Sequence, residues 1–309
     1  MKIKFFGVRG SYPVPNSKMM RYGGRTSSVV ITKEINGKTL PLFFDAGNGV
    51  IEAGKEYIPA ILSGKCSSEF PMFFTHVHPD HTEGFTFFAP NFIPQVKLHL
   101  YGKYSLKKNV GMILRDKMVP PTFPIEYRDL RSQRKHGIVK EGDVLWITGE
   151  GRPIKKGPEK ENQLKDFAFK ITVMQSFAPS HPQQGAIYYK ITEVLESGFG
   201  KTVVCAWDIE SRKGGDQRLL AFSKGADVLI HDTQYTDEEY HSDKVIVQGF
   251  GHSTFSMGLE NAELAGVKML VLFHYNPAHT DEMLDKYIRK LKSKKVKIIA
   301  ATEGLTLEV

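Results

Sequence analysis

Apolar residues fall into short β-type runs in the first quarter of the chain, alternating or unbroken and rich in β-branched and aromatic side chains: Ile3–Gly7, Ser28–Thr32, Leu40–Asp45 and Phe70–Thr75. Turn residues such as Asn36-Gly37 separate them, and a mostly antiparallel sheet is expected. Val50–Leu62 has helical spacing, with Pro59 placed to shorten or kink it. From Lys103 to Lys165 the chain turns polar and rich in Pro and Gly, with one strand candidate at Val144–Thr148, and reads as an insertion or an excursion over the surface. A second strand series follows at Phe167–Gln175, Ala186–Val194, Lys201–Ala206, Val228–His231 and Met269–Phe273. Helices are expected at Leu259–Ala265 and Asp281–Leu291, the latter with Met283, Leu284, Tyr287, Ile288 and Leu291 on one face, and a last strand in the segment KIIAATEG. Strands followed by a helix, twice over, predict one domain of two sheets with helices on the outer faces.

Composition narrows this only a little. The 309 residues, 41% hydrophobic and 25% charged, exclude a disordered or fibrous chain. Two cysteines, Cys66 and Cys205, with no CxxC pair argue against a disulfide framework and a thiolate zinc site, and make a reducing cytoplasm the default location. The N-terminal run is too short for a signal peptide and no 18-residue apolar stretch occurs, so neither export nor a membrane partner is expected. Most of the net charge of +8 lies between Lys103 and Lys160, which hold 14 basic and 7 acidic residues. Such a patch favours an anionic substrate or nucleic acid, although a solvated basic surface is the plainer reading.

The chemical signal is stronger. Thr75-His76-Val77-His78-Pro79-Asp80-His81 follows the apolar run FPMFF, and three imidazoles and a carboxylate within six residues cannot all be satisfied as partners inside a core. Neutral imidazole and carboxylate are the ligands that zinc and similar divalent ions take.

His76-x-His78-x-Asp80-His81 after a hydrophobic strand resembles the signature of the metallo-β-lactamase fold hydrolases, and the rest of that pattern occurs in order. Asp45 ends PLFFDAG, Ser180-His181-Pro182 supplies the next histidine, Asp208 ends TVVCAWD, and His274 ends MLVLFHYNP. The resemblance covers nearly the whole chain and implies an α+β, four-layer αββα sandwich forming a single domain over residues 1–309, with a basic insertion at about 103–165. It further implies one divalent ion on His76, His78 and His181, another on Asp80, His81 and His274, and Asp208 with a water bridging them. Zinc is the expected metal, with manganese or iron accepted by the same ligands.

His231-Asp232-Thr233 and Gly251-His252-Ser253-Thr254 resemble the HEAT-like and HST motifs of the phosphodiesterase branch, which includes tRNase Z. The likeness makes Asp232 the group that orients His252 and His252 the acid that protonates the leaving oxygen, with Asp80 serving also as proton acceptor. The chain has Asp where that branch commonly has Glu. A plainer reading of GHST is a helix cap.

For substrate, VRGSYPVP, RYGGRTSSVV and GFTFFAPNFIP resemble small bacterial members that are cyclic-nucleotide or general phosphodiesterases, and a 3′,5′-cyclic nucleotide, a small anionic diester, is the leading expectation. Phe85–Ile93 would then stack the base and Arg9, Arg21 and Arg25 would meet the phosphate. RNA 3′-end processing is the alternative, weakened because only 27 positions separate His181 from Asp208, where tRNase Z carries a long arm. Lactone, ester or thioester hydrolysis at the same metals is another, and a metal-stabilised binding protein is a third. The Phe-rich loop and the insertion are also compatible with a homodimer interface.

Overall fold

The computed structural model describes residues 1–176 and 185–309. Two sheets face one another. The first runs in the order β15-β1-β2-β3-β4-β5-β6 and the second in the order β14-β13-β12-β11-β10-β9-β7-β8. The strands, in chain order, are β1 (Lys2–Gly7), β2 (Ser28–Ile35), β3 (Lys38–Phe44), β4 (Glu69–Phe73), β5 (Lys97–Gly102), β6 (Gln133–Ile138), β7 (Val144–Thr148) and β8 (Pro153–Ile154). They continue with β9 (Phe167–Gln175), β10 (Ile187–Leu195), β11 (Gly198–Ala206), β12 (Val228–Asp232), β13 (Met269–Phe273), β14 (Lys297–Ala300) and β15 (Thr306–Glu308).

Period-two alternation divides each strand between two cores. Ile3, Phe5, Val29, Ile31 and Phe44 of the first sheet point inward and pack with Ile171, Tyr189, Val203 and Cys205 of the second. Val30, Phe43, Phe70 and Met72 point outward, against Val50, Ala53, Tyr57 and Ile61. Those residues lie on the helix Gly49–Leu62, which continues through Pro59. The proline sits in the last turn, where one missing N–H is tolerated because the buried face still holds the helix to the sheet. Helices Gln217–Ser223, Phe255–Ala265 and Asp281–Lys290 flank the second sheet, giving the α+β sandwich of four layers.

Two expectations change. The first sheet is mixed rather than mostly antiparallel, since β3, β4, β5 and β6 run parallel. The apolar runs of β3 and β4 are unbroken because both faces are covered. The stretch 103–165 is not an excursion, because it supplies β6 to the first sheet, β7 and β8 to the second, and the helix Val110–Lys117. Its half-polar strands lie toward the sheet edges, where alternating charge is tolerated.

The hairpin turns behave as their residues dictate. Asn36 and Gly37 both take positive φ, 51° and 74°, closing β2 onto β3. A short turn likewise closes β10 onto β11, with Leu195 opposite Gly198.

Parallel pairing decides where the chemistry gathers. β11, β12 and β13 run parallel, so their C-terminal ends, leading to Asp208, Asp232 and His274, lie at one rim of the second sheet. β3 and β4 run parallel in the first sheet and lead to Asp45 and to Thr75–His81. The two rims are stitched together by Ile187 N–H to the Thr75 carbonyl at 2.8 Å and Tyr189 O–H to the Phe74 carbonyl at 2.8 Å.

Candidate metal centre

Asp80, His81, Asp208 and His274 bring one ligand atom each to within 4.8 Å of one another, all buried, and Asp208, Asp232, His252 and His274 do the same beside them. His81 Nε2 lies 3.1 Å from Asp80 Oδ2 and 3.2 Å from Asp208 Oδ2; His274 Nε2 lies 3.4 and 3.3 Å from the same two oxygens. Yet His81 Nε2, both His274 ring nitrogens and Asp208 Oδ2 make no hydrogen bond among the described residues. Buried polar atoms without partners are costly, and a cluster of them aimed at one point fits a divalent cation. His76 joins the cluster with Nε2 3.7 Å from Asp208 Oδ1 and 2.9 Å from His78 Nδ1, while His78 stands at the exposed rim. His181 lies outside the described residues.

The electrostatics suit the same occupant. Burial resists charge on Asp80 and Asp208, but the imidazoles of His81 and His274 outweigh it and hold both carboxyl groups well below the usual range. His81 is buried too, and Asp80, Asp208 and Asp45 raise it well above an ordinary histidine. A cation arriving between these groups would take the place of that proton.

The backbone delivering these ligands is unusual. Asp45, Asp208 and His274 take left-handed φ of 58°, 59° and 63° at the ends of their strands. Such conformations are disfavoured for residues with a Cβ and persist where surrounding bonds overdetermine them. At Asp45 those bonds are explicit. Its carboxylate accepts from Thr75 N–H at 2.8 Å, Thr75 Oγ1 at 2.7 Å, His81 Nδ1 at 2.7 Å and Trp207 Nε1 at 2.6 Å.

Asp232 plays the corresponding part on the other side. Its Oδ2 lies 2.8 Å from Nδ1 of His252 and accepts from Asp208 N–H at 3.0 Å, while Oδ1 accepts from Ser253 N–H at 3.1 Å. His252 is buried, which opposes its charge, but Asp232 overcomes this and lifts it to about 9. Its ring stacks on that of His274 at 5.0 Å. Thr254 caps the helix Phe255–Ala265, so the cap in GHST is made without His252.

The arginines are placed otherwise than expected. Arg9 is fully buried and donates to the carbonyls of Gly23, Asn276 and His279; Arg21 pairs with Asp285 and Arg25 with Glu303. In the Phe-rich run, Phe85 and Phe88 are core residues, and the exposed Phe87 meets Phe123 edge-on. His99 pairs with Glu69, His136 with Tyr127 and His279 with Glu239, as packing residues do.

Several supporting residues went unread in the sequence. Trp207 next to Asp208 was one, an indole N–H at a strand end with no stated partner. Ser11 was another: its N–H donates to Asp80 Oδ2 at 2.7 Å from a left-handed turn.

No family model matches the chain. Among curated proteins it is similar to ribonuclease Z of Brevibacillus brevis, 27% identical over 260 residues that cover 77% of this chain and 78% of the relative. Ribonuclease Z of Gemmatimonas aurantiaca is 27% identical over 300 residues, covering 92% and 88%. Among solved structures it is similar to the metallo-β-lactamase fold protein YhfI from Bacillus subtilis, with TM-score 0.61, 19% identity and coverage of 99% and 98%. The short form of human tRNase Z gives TM-score 0.58 at 18% identity, covering 100% of this chain and 99% of that one. The chain has the metallo-β-lactamase fold.

Proposed function

We propose that the chain is an RNA phosphodiesterase of the ribonuclease Z kind, cutting near RNA 3′ ends. The observation that carries this is the likeness to ribonucleases Z over as much as 92% of the chain, combined with a histidine and aspartate pair beside the ligand cluster. The cyclic-nucleotide reading loses its local support, because Phe85 and Phe88 belong to the core and Arg9, Arg21 and Arg25 are committed to partners within the protein.

His76, His78, Asp80, His81, Asp208 and His274, with His181, are the residues that would hold two divalent ions. Bound there, such ions would make water acidic enough to attack at neutral pH and would neutralise charge on the phosphate. The protein's own part is proton movement and orientation. Asp232 receives Nδ1–H of His252 and so directs Nε2 of that ring to carry the proton to the departing ribose oxygen. The raised affinity of His252 for its proton keeps it an acid at pH 7. Asp45 holds His81 by Nδ1 in the same way, leaving Nε2 to the cation.

The β10–β11 hairpin closes with a short turn and leaves no long arm to grip RNA. Lys107, Arg115, Arg131, Lys135, Lys140 and Arg152, exposed in the stretch 103–165, are the groups we assign to the phosphate backbone.

The test is metal-loaded protein offered a precursor tRNA with a 3′ trailer, a 3′,5′-cyclic nucleotide and bis(p-nitrophenyl) phosphate. A single cut in the precursor at low enzyme, with binding that weakens steeply in salt, is expected. Rapid turnover of the cyclic nucleotide with the precursor left intact would overturn the RNA reading and keep the diesterase.

A further inference from the structure

We infer that Glu210 is a positioning residue for His252, an inference that rests on the reading of His252 as the proton donor. Glu210 lies two residues past Asp208, outside every motif of the ligand set. Its Oε1 accepts from Gly249 N–H at 2.8 Å and from Tyr240 O–H at 2.7 Å, and its Oε2 accepts from Gly251 N–H at 2.9 Å. One carboxylate thus holds the segment that runs into His252 at two of its three preceding amides.

That segment needs holding. Gly249 and Gly251 take φ of +85° and +88°, conformations that a glycine enters and leaves at little cost, so the loop has no intrinsic preference for the shape it takes. Phe250 between them is 55% exposed and supplies little burial to fix the loop. Charge-assisted bonds from backbone N–H groups to a carboxylate are the strongest restraint available.

The neighbours of Glu210 extend the same contact. Ser253 Oγ donates to the Ile209 carbonyl at 2.6 Å and accepts from Ser211 N–H at 3.0 Å. The chain leaving Asp208 therefore serves as a template on which residues 249–253 are laid. It ties the segment before His252 to the strand end that carries Asp208, while Asp232 orients the ring through Oδ2 and holds the following amide, Ser253 N–H, through Oδ1.

The chemistry distinguishes a carboxylate from its amide. A glutamine at 210 would present N–H₂ to one of the backbone N–H groups, and one bond would become a repulsion. Glu210→Asp keeps both acceptors on a shorter arm.

The experiment compares metal-loaded wild type, Glu210→Gln, Glu210→Asp and His252→Ala on two diesters, one with a p-nitrophenolate leaving group and one with an alkoxide-like ribose oxygen. Proton donation matters for the poor leaving group and little for the good one. If Glu210 positions the donor, Glu210→Gln lowers kcat about 10- to 100-fold on the ribose diester, changes it less than about threefold on the p-nitrophenyl diester, and leaves KM and metal content unchanged. Glu210→Asp recovers part of the loss, and His252→Ala shows the same leaving-group pattern more strongly. Equal losses on both diesters, or loss of metal, in Glu210→Gln would overturn the inference. If His252→Ala itself lacks the leaving-group pattern, the reading of His252 as proton donor fails instead.

Discussion

Oδ2 of Asp45 lies 2.7 Å from Nδ1 of His81, and the same oxygen accepts from Thr75 Oγ1 and Trp207 Nε1. All four residues are fully buried. One carboxylate therefore fixes a ring tautomer, the end of β4 and the residue before Asp208 together. Removing it leaves three side-chain donors in a dry site. Asp45→Ala should lower stability by roughly 3–5 kcal/mol, as expected when a buried charged acceptor is lost, and metal affinity by about 10- to 100-fold, as for other groups that orient a ligand. Thermal unfolding and metal titration measure the two effects. Full metal affinity in a folded Asp45→Ala protein would show that His81 orients itself.

Removal of metal should destabilise as well as inactivate. A cation that binds the folded chain and not the unfolded one raises stability by about 2.7 kcal/mol at 100 times its dissociation constant. His81 Nε2, His274 Nε2 and Asp208 Oδ2 find no hydrogen-bond partner among the described residues, so chelation should lower the melting temperature and stop diester hydrolysis, with both restored on readdition. An unchanged melting temperature across chelation would contradict the metal assignment.

His252→Ala is expected to reduce turnover of an RNA diester by roughly 10² to 10⁴ while leaving bound metal at the wild-type amount. Metal analysis beside steady-state kinetics separates proton transfer from ligation. Loss of metal in this variant would make His252 a ligand.

Gly10 presses on the site from the N-terminal side. A Cβ there would lie 2.3 Å from Cε1 of His274 and 2.4 Å from Oε1 of Gln234, both buried. Gly10→Ala should displace His274 and weaken metal binding at least about tenfold, and isothermal titration with zinc would read this directly. Unaltered binding would mean that the 9–11 turn yields without moving the imidazole.

The two thiols should be inert in the folded protein. Burial pushes the Cys66 thiol up to about 12, and Cys205 is raised well above an ordinary thiol by full burial inside β11. At pH 8 neither would carry appreciable thiolate, so a thiol reagent should find almost none until denaturant is added, when both react. A rapid reaction in native buffer would point to local opening around Cys66 or Cys205.

What the chain's order alone determined is local. Strand and helix positions such as Phe167–Gln175 and Met269–Phe273 follow from side-chain periodicity, which is set by neighbours in sequence. The crowding of His76, His78, Asp80 and His81 into six positions is local too, and the residue types alone suit a cation. Only the tertiary structure decided which surfaces those local features meet. Parallel pairing of β3 with β4, and of β11, β12 and β13, set the distant Asp45, Asp208, Asp232 and His274 at facing rims. It also turned Arg9 inward onto three carbonyls and made Phe85 and Phe88 core, where the pattern of charge and aromatics had suggested ligand contacts. Glu210 and Trp207 stayed invisible for the same reason. Their meaning lies in hydrogen bonds to residues 30 or more positions away, and no local periodicity records which distant group a side chain will reach.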